Sequence, residues 1–163
     1  MHMVMMLLLV GSLSFAGASA VSAEADGGAF VKPQARDKCP VCGMFVAKYP
    51  DWTAEIVFAD GTYAVFDGTK DLFRYYFGLA ASAQGKRRTD ISAIFVTDYY
   101  SLRTVDGRTA SFVLGSDVYG PMGKELVPFG SRHDAQEFLK DHHGQRVLSF
   151  DEITPALIEE LVQ

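Results

Sequence analysis

One pattern occurs twice in this chain and constrains its fold more than any other feature. Phe66-x-Gly68-x-x-Asp71 and Phe129-x-Ser131-x-x-Asp134 share their spacing, and each marks the point where an extended apolar run gives way to a helical one. The elements around the two copies follow the same order. In the first half, residues 52–58 alternate as a strand does, Asp60-Gly61 supplies the positive φ of a tight turn, and residues 63–66 return as the partner strand. Residues 70–77 then place Leu72, Phe73, Tyr76 and Phe77 on one helical face, Gly78 ends that helix, and residues 91–99 are rich in β-branched and aromatic residues.

The second half begins with residues 101–105 and 108–114 flanking Asp106-Gly107, a second hairpin signal. A glycine-rich loop over 115–123 and a short strand over 125–129 follow. Ser131 caps a helix that runs to about His142, with Ala135, Phe138 and Leu139 on its inner face, and Gly144 stops it. Residues 146–150 form a last strand and 155–162 a short terminal helix. The expected fold is α+β: two similar ββαβ-like halves, 39–100 and 101–163, with mixed or antiparallel sheets.

Composition narrows the class. With 163 residues the chain is one domain or two very small ones. Its 12 Phe and 7 Tyr allow a packed core without disulfide staples, and a net charge of −5 argues against a nucleic-acid partner. The longest basic run, Lys86-Arg87-Arg88, reads as a solvated loop. Residues 1–23 hold no Asp, Glu, Lys or Arg. They run from an apolar core over 3–10 into Ala18-Ser19-Ala20 and Val21-Ser22-Ala23, which are small-x-small patterns. This predicts a cleaved secretory signal, then a flexible lead-in over 24–38. No cysteine lies near the cleavage site, so no lipid anchor is expected there. Cleavage removes Met1, Met3, Met5 and Met6 and leaves Met44 and Met122.

Both surviving methionines sit beside glycine, and Met44 belongs to Cys39-Pro40-Val41-Cys42-Gly43-Met44, which holds both cysteines of the chain. Four chemistries are open to this stretch. A Cys-x-x-Cys can be half of a structural zinc site; the remaining ligands would come from His133, His142, His143 or carboxylates. It can be the redox pair of a thiol–disulfide oxidoreductase, although no helix pattern follows Cys42 to lower its pKa. It can be a structural disulfide, whose short loop would add little stability. It can also bind Cu(I), which prefers soft thiolate and thioether donors. Gly43 leaves Cys42 and Met44 free to turn toward one ion, Cys39 adds a third sulfur, and Met122 or a histidine can complete the set. The three histidines otherwise read as surface residues of the second helix. No nucleophile–base order, phosphate loop or spaced carboxylate pair is evident.

The stretches CPVCGMFVAKYPDW (39–52), FDGTKDLF (66–73), IFVTDYY (94–100) and GSDVYGPMGKEL (115–126) together resemble the NosL family. The resemblance covers the mature chain. It implies a periplasmic Cu(I) chaperone, not an enzyme, with two ββαβ-like halves. Such a protein delivers copper to the copper centres of nitrous oxide reductase, assisted by a membrane transporter complex. The family's copper-binding cysteine and methionine fall on Cys42 and Met44, and Met122 lies within a family motif. One Cu(I) per monomer is expected.

Overall fold

The computed structural model describes residues 29–79 and 85–162. The segment expected to be a secretory signal, 1–23, and the first part of the lead-in lie outside the described residues. Among the described residues seven strands and three α-helices follow in order: β1 (Ala54–Phe58), β2 (Tyr63–Phe66), α1 (Thr69–Gly78), β3 (Ile91–Thr97), β4 (Thr104–Asp106), β5 (Ser111–Gly120), β6 (Gly123–Phe129), α2 (Arg132–Asp141), β7 (Arg146–Ser149) and α3 (Pro155–Val162). The first sheet has the order β2-β1-β3-β4 and the second β6-β5-β7. All pairings are antiparallel.

The repetition read from the sequence is present in the topology. In each half a hairpin leads into a helix, and the strand after the helix pairs with the hairpin's first strand. Phe66 ends β2 and Phe129 ends β6. Gly68 and Ser131 are the N-caps of α1 and α2, and Asp71 and Asp134 are the third residues of those helices. The fold is α+β.

Two sequence expectations are corrected. Asp106-Gly107 does not close a hairpin within one sheet. β4 pairs with β3, whereas β5 pairs with β6 and β7, so the turn carries the chain from one sheet to the other. Gly107 is pinned there by donating its amide to the Ile94 carbonyl at 2.8 Å. Residues 115–120 are strand rather than loop. The β5–β6 ladder shifts register between Leu114 and Tyr119 and resumes to Gly120↔Gly123, leaving only Pro121 and Met122 as the turn.

α1 packs against strands of both sheets, and α3 packs against α1 and β6. Ala54, Ile56, Phe66, Ile94 and Val96 of the first sheet share one buried core with Leu72 and Phe73 of α1 and with Phe112, Leu126 and Leu148 of the second. The alternate residues of the second sheet, Val113 and Val127, face α2 through Ala135 and Phe138. Both faces of that sheet are therefore covered, which is why its strands read as nearly continuous apolar runs. This layering places the N-terminus of α1 beside the segment that carries the cysteines.

Candidate metal centre

The cysteine stretch folds as a tight knuckle. Gly43 donates its amide to the Cys39 carbonyl at 2.9 Å, and Cys39 donates to the Met44 carbonyl at 2.8 Å. Lys38 and Phe45 pair as an antiparallel bridge at the base. Closing the knuckle requires φ +79° at Gly43, a left-handed value that glycine adopts without strain. The amides of Val41 and Cys42 point at the Cys39 sulfur and that of Met44 at the Cys42 sulfur. Such N–H groups stabilise negative charge on sulfur.

The knuckle lies against the start of α1. Cys39 Sγ donates to Asp71 Oδ2 at 3.3 Å and Cys42 Sγ to Asp67 Oδ1 at 3.1 Å. One donor atom from each of Cys39, Cys42, Asp67 and Asp71 lies within 4.8 Å of every other. Cys39, Asp67 and Asp71 are buried, and Cys42 is half-exposed, so the group opens to solvent on the Cys42 side. Both cysteines are free thiols. Burial raises the Cys39 pKa far above the ordinary thiol range, and it raises Cys42 to about 11.

Asp67 bears most directly on what the site can hold. Its side chain is 1% exposed, and Oδ2 is buried with no hydrogen-bond partner among the described residues. An unpaired carboxylate oxygen in the interior is costly. A cation bound there would satisfy it. The donor chemistry fits a metal: each thiol hydrogen occupies the space between sulfur and carboxylate that an ion would take.

α1 has an unusual cap that positions these carboxylates. Its N-cap residue, Gly68, carries no side chain to receive the first free amides. The Glu125 carboxylate reaches in from β6 instead, accepting from the Lys70 amide, from Thr69 Oγ1 at 3.0 Å and from its neighbour Leu126's amide at 2.9 Å. A Cβ on Gly68 would lie 2.2 Å from Glu125 Oε2, so the cap works only with glycine here. In the second half the corresponding Ser131 caps α2 itself, accepting from the Asp134 amide. Burial pushes Glu125 up to about 7, against the pull of the amides it accepts from.

The other residues named from the sequence divide clearly. Met44 follows the knuckle glycine and is half-buried, outside the buried core. Met122 is 46% exposed at the tip of the β5–β6 hairpin. Its carbonyl accepts from Lys70 Nζ at 2.7 Å, so this turn is tied to the same first turn of α1 that presents Asp71 to Cys39. The histidines are elsewhere: His133 is exposed beside Asp134, and His142 stacks on Phe138 and meets Asp117 Oδ1 at 3.0 Å. Asp67 and Asp71 were not singled out as site residues from the sequence. The signal was the aligned Asp71/Asp134 pair, which reads as a helix-capping habit until the knuckle is seen to fold against one of its members.

A set of two thiols and two carboxylates at a helix start, three of the four residues buried, has the donor chemistry of a metal centre, here in an α+β fold of two ββαβ halves. The sequence model of the NosL family matches residues 30–158, and the chain belongs to that family. The copper-binding lipoprotein NosL of Stutzerimonas stutzeri is 29% identical over 132 residues, covering 76% of this chain and 65% of that protein. The matched part is thus just under two thirds of the relative's length. The crystal structure of the copper chaperone NosL from Shewanella denitrificans superposes with a TM-score of 0.66 at 26% identity, covering 78% of this chain and 97% of that one. Neither relative carries the name of an enzyme.

Proposed function

We propose that this protein is an exported copper chaperone that carries Cu(I) on sulfur and hands it on for maturation of the copper centres of nitrous oxide reductase. Cys42 is the principal ligand, as the thiol open to solvent. Met44 joins it across the Gly43 hinge. Cys39 and Met122 are the further sulfur donors. The receiving enzyme and the transporter complex that assists it are read from the family resemblance, as is action in the periplasm. The copper in both relatives' names supports the choice of metal. The monovalent state rests on the softness of thiolate and thioether donors.

The observation that carries this reading is the pairing of two protonated thiols with two buried carboxylates, one holding an unsatisfied oxygen. Metal binding must expel the thiol protons, and Asp67 and Asp71 stand where those protons leave. The same raised thiol pKa values argue against the alternative of a thiol–disulfide oxidoreductase working through Cys39 and Cys42, because the thiolate is the nucleophile. Cys42→Ser abolishes tight Cu(I) binding in a competition titration with a chromophoric chelator; unchanged affinity overturns the assignment. Activity in an insulin-reduction assay would favour the oxidoreductase.

The two carboxylates favour a second reading, in which Cys39, Cys42, Asp67 and Asp71 form a four-donor cage for a divalent ion such as zinc. Asp67→Asn then removes zinc binding measured by equilibrium dialysis. Zinc retained at full affinity in that variant excludes the cage.

A further inference from the structure

Lys70 is the second residue of α1 and is only 5% exposed. A cation is unfavourable at a helix N-terminus, and burying an ammonium costs more unless specific partners receive it. Two are present. Nζ donates to the Met122 carbonyl at 2.7 Å, and the buried Glu125 carboxylate, which accepts from the Lys70 amide, carries the opposite charge nearby. Nothing in the thiol–carboxylate group itself calls for a lysine here.

The hairpin that Lys70 grips is weakly located by its own ladder. Beyond the register shift after Leu114 only Tyr119↔Lys124 and Gly120↔Gly123 pair, and the tip is Pro121-Met122. Two ladder pairs do not fix where a turn sits against the rest of the molecule. A buried charge-assisted hydrogen bond to the turn's own carbonyl does. That bond joins Met122 to the residue immediately before Asp71, which receives the Cys39 thiol hydrogen.

We propose that Lys70 is a positioning residue for copper: it holds the Met122 turn at the start of α1, so that the Met122 thioether is preorganised toward the metal held by the knuckle. Lys70 touches no copper. It acts by removing the cost of ordering the turn when the metal arrives. The inference rests on the reading of Met122 as a copper ligand, and the experiment separates the two.

The test is a double-mutant cycle on the full mature chain, read by Cu(I) affinity in competition titrations and by the methyl resonances of Met44 and Met122 in protein labelled with 13C at the methionine methyls. Met122→Leu removes the thioether. Lys70→Leu removes the tie without adding a thioether. Lys70→Leu combined with Glu125→Gln removes both buried charges together while leaving an acceptor for the backbone amide of residue 70, and serves as the folded control. Each of Met122→Leu and the Lys70 variants lowers affinity by about tenfold, and combining them lowers it no further, because Lys70 acts only through Met122. In the wild type both methyls shift on addition of Cu(I); in the Lys70 variants only the Met44 methyl keeps its full shift. Affinity losses that add, or a Met122 methyl that shifts fully without Lys70, overturn the positioning role alone. A Met122→Leu variant with wild-type affinity overturns both the role and the ligand assignment beneath it.

Discussion

At the residue scale, five carboxylates are buried among the described residues, and one of them, Asp98, is accounted for by the turn it closes, accepting from the Tyr100 and Ser101 amides. Asp67 and Asp71 face thiols, and Glu125 caps a helix. Glu55, the second residue of β1, has neither reason. It is fully buried, accepts one hydrogen bond from the Val31 amide at 2.9 Å, and leaves Oε1 without a partner among the described residues. Burial raises its pKa from 4.5 to about 7. A carboxyl that holds its proton more tightly in the folded state adds stability that is complete below its unfolded pKa. That contribution is lost as pH rises through the folded value. Glu55→Gln should therefore raise the melting temperature at about pH 8, by the equivalent of roughly 1–3 kcal/mol, and leave it little changed at about pH 4. Thermal unfolding followed by circular dichroism at the two pH values checks this, and equal shifts at both would contradict it.

Elements explain what the sequence revealed and what it hid. The β1–β2 hairpin was legible because Asp60 accepts from the Thr62 amide and Gly61 takes φ +80°, both local effects that Asp-Gly encodes. The terminal helix was legible because its apolar spacing and its proline at the first position both act within a few residues. Asp106-Gly107 encodes a turn equally well, yet which strands a turn joins depends on distant pairing, and here it links two sheets. The knuckle and its sulfurs were visible in the sequence. The carboxylates opposite them were not, because the contact between residue 39 and residue 71 exists only once the layers assemble. The cap of α1 was hidden for the same reason, since Glu125 arrives from another strand. Gly68→Ala tests that cap. The added methyl displaces the Glu125 carboxylate and frees the first turn of α1, with a loss on the order of 1–3 kcal/mol in a denaturant titration. Metal affinity should fall with it, because Asp67 and Asp71 flank the same turn. A Gly68→Ala protein as stable as the wild type would show that the cap carries no weight.

Over the whole molecule, the two ββαβ halves have the same topology, and the thiol–carboxylate group lies in the first of them. The first half gives its helix cap to the second half's Glu125 and turns Asp71 toward a thiol, while the second half keeps an ordinary Ser131 cap. The thiol–carboxylate group therefore draws on both halves: the knuckle and α1 carry it, and β6 supplies the cap of α1. Both thiols are held protonated near neutrality, Cys42 with a pKa of about 11 and Cys39 higher. Copper affinity should therefore rise by about tenfold per pH unit for each thiol proton displaced, and competition titrations between about pH 6 and 8 read the slope. A flat profile would mean that the thiols do not lose their protons to the metal.

X-ray absorption at the copper edge of the Cu(I)-loaded protein tests the central claim most directly, since it counts sulfur against nitrogen and oxygen around the ion. A shell made of sulfur, losing one neighbour in Met44→Leu and another in Met122→Leu, is the predicted result. A shell dominated by nitrogen or oxygen, or one unchanged by both substitutions, would contradict the account.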